Sequence, residues 1–185
     1  RSVLQFLPGL AHDRLMSNKY LSGGMGDGGG CHPRDNIAMS WLAKELNLSH
    51  NFFDDLMVAR EHQTEWLADL LEIEHKLSPE LPVILMGRTF KPDTRLTVGS
   101  PAILLENILN ERGIPVESYD PYHRESDDFW ETPQAIYLIS TKHSVFENIT
   151  FPSGSIVFDP HRYITKNQPE GVKIVHLGGQ NEGKS

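Results

Sequence analysis

The sequence predicts an α/β protein: a helical N-terminal segment with a long helix, then a Rossmann-like parallel sheet of about five strands covered by helices. Three observations carry that expectation. Short apolar runs stand at Val83–Met86, Val116–Tyr119, Ala135–Ile139, Ile156–Phe158 and Ile174–Leu177, and such uninterrupted runs suit strands buried on both faces. Helical stretches lie between them, from Pro101 to Arg112 (ended by Gly113 and Pro115) and, more briefly, from Ser144 to Asn148. Strands alternating with helices argue for a parallel sheet. The third observation is a change of pattern at Ser78-Pro79-Glu80-Leu81, before which the chain reads as helix. Two units follow: residues 1–79, a glycine loop with a central helical segment, and residues 80–185, an α/β domain.

Within the first unit, Arg1 to Leu21 mixes apolar and polar residues and reads as partly helical. Residues 22–30 then hold six glycines in nine positions. Glycine tolerates backbone conformations closed to other residues, so this is a loop where chain or ligand approaches closely. Asp35 is placed to cap a helix running through Asn47, with Ile37, Met39, Trp41, Leu42 and Leu46 on its apolar side. A second helix is expected from Ser49 to about Leu77, apolar at both ends but mostly polar from Ala59 to Glu65. It reads either as a long core helix or as a spacer that meets another subunit.

The composition narrows the function classes. There are 185 residues, with 25 acidic and 17 basic side chains and a net charge of −8. No basic face is visible to neutralise phosphates, so a nucleic-acid partner is not expected. No apolar run approaches the roughly 18 residues that span a bilayer, and no secretory leader is recognisable, so no membrane partner is expected. One cysteine makes no internal disulfide, which suits a reducing cytoplasm.

That cysteine is the first residue to weigh for chemistry. Cys31 follows the glycine run and precedes His32, Pro33, Arg34 and Asp35. A lone cysteine is commonly a small buried hydrophobe. Beside an imidazole and a guanidinium, before a helix start, it could equally be an activated nucleophile. Residues 24–29 spell G-x-G-x-x-G, but no apolar strand precedes Gly24 and the next helix starts only after Cys31. The spelling is therefore not a dinucleotide fingerprint. Nine histidines show no metal-ligand spacing, and no metal is expected. Arg88 and Lys91 lie at the carboxyl end of the first strand, where an open α/β sheet binds ligands, and could meet a phosphate or polarise an oxygen. Arg162, after the fourth strand, could reach the same cleft.

Two multi-residue motifs resemble those of the UDP-glucose/GDP-mannose dehydrogenase family. Tyr20-Leu21, the glycine loop and Cys31-His32-Pro33-Arg34-Asp35 are similar to its Gly-Phe-Gly-Gly-Ser-Cys-x-Pro-Lys-Asp segment. Phe90-Lys91-Pro92-Asp93-Thr94, then Ser100-Pro101-Ala102, are similar to its Phe-Lys-Pro-Asp-Thr…Ser-Pro-Ala segment. Tyr119-Asp120-Pro121, Thr141 and Asp159…Arg162 fall in the family's order, and the resemblance covers roughly residues 12–178.

The resemblance implies the central dimerisation helix and C-terminal nucleotide-sugar domain of an NAD-dependent nucleotide-sugar 6-dehydrogenase. Such an enzyme oxidises the sugar's C6 alcohol twice, to the carboxylate. Cys31 would trap the C6 aldehyde as a thiohemiacetal, whose oxidation yields a thioester that water cleaves. Asp35 would help activate that water, and Lys91 would serve at the reacting centre. Tyr20, Leu21, Gly28, Phe90 and Arg162 would bind the nucleotide sugar, with UDP favoured over GDP. Arg34 would approach the NAD, which is otherwise bound by a domain this chain lacks. A homodimer through the long helix is implied, and alone the chain should be inactive. Departures from the family pattern are Arg34 for its lysine, Asp27 and Gly30 in the glycine loop, Arg14 one position out of register, and Arg95-Leu96-Thr97-Val98-Gly99 for a charged cluster. That last change is the feature favouring an alternative, a non-catalytic nucleotide-binding or assembly module.

Overall fold

The computed structural model describes residues 23–26, 28–123 and 132–177. It begins with a helical pair, α1 (Cys31–Glu45) and α2 (Phe52–Leu77). The order continues β1 (Val83–Met86), α3 (Pro101–Glu111), β2 (Val116–Tyr119), β3 (Ile136–Ile139), a 3₁₀ turn (Ser144–Phe146), β4 (Ile156–Asp159) and β5 (Lys173–His176). All strand pairs are parallel, in the order β2-β1-β3-β4-β5. The expected α/β sheet of five parallel strands is therefore present.

The five apolar runs become strands because every residue of β1, β3 and β4 is buried. One face of the sheet, through Val83, Leu85, Ile136, Leu138 and Phe158, packs on Leu67, Ala68 and Leu71 of α2 and Leu105 and Leu109 of α3. Burying such aliphatic side chains contributes roughly 1.5–3 kcal/mol each before the entropy of ordering them. The other face, through Ile84, Met86, Tyr137, Ile139 and Val157, meets Phe146, Phe151 and Ile164. These come from the 3₁₀ turn and irregular segments, so among the described residues no helix covers this face. The helix expected over residues 144–148 shrinks to that three-residue turn.

Two helix starts differ from expectation. α1 begins at Cys31 behind Gly30, which offers no side-chain cap. Asp35 is therefore inside the helix, where its carboxylate accepts from Arg34 Nε at 2.9 Å. α2 begins at Phe52 rather than Ser49, because the Asn51 side chain accepts from the Asp54 amide. In the C-terminal half of α2, Leu67, Ala68 and Leu71 join the core, while Phe52, Leu56 and Val58 in its first turns stay exposed, as do Ile37, Trp41 and Leu46 of α1.

Candidate functional site

The strand order reverses between β1 and β3, and ligands of open α/β sheets bind in the crevice that opens at such a reversal. A cavity of about 240 Å³ lies there. Thr89, Phe90 and Pro92 reach it from the β1 exit, Ser140, Thr141 and Lys142 from the β3 exit, and His161 from the segment after β4. Pro101 at the start of α3, with Gly23, Gly24, Met25, Gly26 and Gly28, completes its lining.

The glycine wall is held by its lack of side chains. A Cβ at Gly28 would stand 2.7 Å from Phe90 Cβ. The Gly29 amide donates to the Gly99 carbonyl at 3.0 Å. Gly99 has φ 72°, in the left-handed region that favours glycine, and a Cβ there would come within 2.5 Å of Gly29 backbone. Met25, 3% exposed, anchors the segment in the core shared by α2 and the sheet.

The turn after β1 is held from three sides. Thr141 Oγ1 donates to the Thr89 carbonyl and the Arg88 amide donates to Asp120 Oδ2, both at 2.6 Å. Asp93 Oδ1 accepts from the Tyr122 hydroxyl and the Ser144 amide, each at 2.9 Å. The Ser144 amide leads the groups that hold the Asp93 carboxyl below its ordinary range; partial burial opposes them, and the Tyr122 hydroxyl adds to the lowering. Below them lies His143, fully buried. Asp120, also buried, would be pushed up by loss of solvent, but bonds from His143 and the Arg88 and Tyr122 amides hold it at about 2.

The expected site residues divide. Gly28 and Phe90 line the cavity. Lys91 Nζ stands 5.4 Å from the Phe90 ring centroid and is not in the lining. Cys31 is exposed at the first position of α1, so the buried-hydrophobe reading is set aside. Arg34 pairs with Asp35, which with the nearby Cys31 keeps the guanidinium firmly charged. Arg162 is exposed with φ 51° and lies outside the lining. Arg88, read as a phosphate group, is turned to Glu106 at 3.2 Å. Tyr20 and Leu21 lie outside the described residues.

The structure adds His161 and Lys142, which sequence reasoning passed over. The Asp159 carboxylate shapes the turn carrying His161, accepting from the His161 amide at 3.2 Å and the Ile164 amide at 2.8 Å. His161 Nε2 bonds the Ser140 carbonyl at 3.3 Å. Among the described residues no group of three or more His, Cys, Asp or Glu is placed to hold a metal ion. An NAD cradle is not formed by them either: β1 leads into the turn at Gly87, and α3 begins only at Pro101, so no strand–glycine turn–helix unit is present.

Sheet order and crevice define a Rossmann-like α/β unit, joined here to a helical pair. By sequence the chain is related to the UDP-glucose and GDP-mannose 6-dehydrogenases. It is 27% identical over 119 residues to a Bacillus subtilis UDP-glucose 6-dehydrogenase, covering 64% of this chain and 26% of that protein. To a Pseudomonas putida GDP-mannose 6-dehydrogenase it is 30% identical over 173 residues, 89% of this chain and 39% of the relative. The chain thus spans 26% and 39% of the length of these two relatives. No protein-family model matches it. Its fold is that of solved nucleotide-sugar dehydrogenases. The UDP-glucose dehydrogenase of Pyrobaculum islandicum aligns with TM-score 0.72 at 21% identity, over 93% of this chain and 43% of that one. A Staphylococcus aureus UDP-N-acetyl-mannosamine dehydrogenase aligns with TM-score 0.72 at 22% identity, over 96% and 42%.

Proposed function

We propose that this chain is the nucleotide-sugar-binding and helical dimerisation part of an NAD-dependent nucleotide-sugar 6-dehydrogenase of the cytoplasm, acting on a UDP-sugar in preference to a GDP-sugar. The observation that carries the reading is the meeting of two sequence-distant motifs, the glycine segment and the Phe90 turn, across one cavity at the sheet's switch point.

In this reading residues 80–185 bind the nucleotide sugar and residues 1–79 supply the nucleophile and the subunit contact. Gly28 lets the ligand approach the backbone, Phe90 offers an apolar wall, and Tyr20 and Leu21 extend the nucleotide contacts. The Cys31 thiolate adds to the C6 aldehyde carbon, whose oxygen takes the proton, giving a thiohemiacetal. Lys91 neutralises that developing charge. Asp35 accepts a proton from the water that splits the later thioester into carboxylate and free thiol. A nicotinamide cofactor would supply the hydride acceptor, and Arg34 would approach it. Arg162, outside the cavity lining, serves the outer end of the ligand. The exposed apolar side chains of α1 and the start of α2 meet a second copy of the chain.

Calorimetric titration of the chain with UDP-glucose, UDP-glucuronate and GDP-mannose, beside UDP and GDP, tests the reading. Selective binding of a UDP compound, without NADH formation when NAD is added, is the expected result. Turnover by the chain alone refutes the division of labour, and a folded sample that binds none of the five refutes the reading.

A further inference from the structure

Lys142 is the one lysine or arginine among the described residues that line the cavity. The two cations singled out by motif lie elsewhere, Lys91 over the Phe90 ring and Arg162 on the exposed turn beyond β4. Among the described residues that line the cavity there is no aspartate or glutamate, and Lys142 makes no ion pair or side-chain hydrogen bond with a described residue. The other titratable group in the wall is His161. Burial pushes its imidazole down and the Lys142 charge adds to that shift, while the Ser140 carbonyl and the Asp159 carboxylate oppose it. Among the described residues Lys142 is thus the cavity's one lysine or arginine side chain, beside Ser140 and Thr141, with no carboxylate in the lining to meet it.

A cavity of about 240 Å³ is smaller than the roughly 300–1,000 Å³ of sites that enclose a whole ligand. It suits one part of a nucleotide sugar, and the part with charge to match a lone ammonium is the diphosphate. Lysine serves such groups as a compact point charge.

We infer that Lys142, rather than Lys91 or Arg162, takes the negative charge of the ligand in this cavity by pairing with its diphosphate. The inference rests on the nucleotide-sugar reading and adds to it the residue that reads the charge. No covalent step is involved. Because the Lys142 side chain bonds nothing among the described residues, its replacement should leave the melting temperature unchanged.

The test is calorimetry on the whole chain with UDP, inorganic diphosphate, uridine and glucuronate, comparing Lys142→Ala, Lys142→Arg, Lys91→Ala and Lys166→Ala with the parent. Lys166 is the control, since its Nζ is already bonded to Asn148 and Thr150. Lys142→Ala should weaken UDP and diphosphate by about ten- to a hundredfold, the range of a lost charge-assisted contact. Lys142→Arg should retain most of the affinity, and uridine should not distinguish parent from variant. UDP binding that is equal in parent and Lys142→Ala overturns the inference and leaves the nucleotide-sugar reading standing. A loss of diphosphate affinity confined to Lys91→Ala does the same. Lys142-dependent binding of glucuronate without diphosphate overturns the assignment to phosphate. A folded parent that binds neither UDP nor diphosphate overturns inference and reading together.

Discussion

The Asp93 amide donates to Nδ1 of His143 at 2.9 Å, across 50 positions of sequence. That bond leaves the imidazole proton of the neutral ring on Nε2, which lies 3.3 Å from both Asp120 Oδ2 and Thr89 Oγ1. A single buried ring therefore ties the turn after β1 to the ends of β2 and β3. His143→Ala takes one partner from the buried Asp120 carboxylate and the acceptor from the Asp93 amide, and should cost about 2–4 kcal/mol in urea denaturation. His143→Gln, which can still donate toward Asp120, should cost less. Equal stability of parent and alanine variant would refute the role.

Acid should act on the same network. Asp120 is held at about 2 against an ordinary 3.8. A depressed carboxylate contributes stability that is full above its unfolded value and is lost as pH falls through the folded one. The contribution is about 2 kcal/mol, and it should disappear between about pH 4 and pH 2. Chemical denaturation across that range is expected to show the loss, and to show a shallower one in Asp120→Asn. Identical pH profiles would contradict it.

Backbone approach at the glycine wall makes a sharper prediction. Gly28→Ala sets a methyl 2.7 Å from Phe90 Cβ, so the ring must move and nucleotide affinity should fall at least about tenfold. Gly99→Ala adds a strained φ to a backbone collision and should destabilise by about 1–3 kcal/mol. Unchanged affinity in the first and unchanged melting in the second would show that the wall yields freely.

Cys31, exposed at the start of α1, should be alkylated once per chain by iodoacetamide in the folded protein. Protection from the reagent until urea is added would argue against a nucleophile.

The apolar residues left in solvent on α1 and α2 bear on assembly. Ile37, Trp41 and Phe52 are each more than half exposed, and large apolar side chains left in solvent are what an interface between copies would cover. Sedimentation is expected to show a dimer that Trp41→Glu dissociates. A monomeric parent at micromolar concentration would refute it.

Much of this architecture is legible in the residues. Val-Ile-Leu-Met at 83–86 has no polar position to expose, so a strand covered on both faces is its economical reading. The start of α1 is harder to read, because Asp35 looks like a cap whereas Gly30, which carries no capping side chain, stands where the helix begins. The site is half legible. Phe90 and Gly28 stand in recognisable motifs. Lys142, His143 and His161 do not, since periodicity says nothing about a polar residue in the turn that follows a strand. A signal exists all the same: Ser140-Thr141-Lys142-His143 leaves a buried strand at its carboxyl end, the same position that draws attention to Lys91.

The hydrophobic core spans the breaker at residue 78. Leu67, Ala68 and Leu71 pack on Val83 and Leu85, and Met25 joins them. A fragment trimmed to start at residue 80 would bare the sheet face and lose the glycine wall together. Dissection at that boundary should yield aggregating protein, and a protease that nicks the chain there should leave two pieces that still travel as one through a native gel.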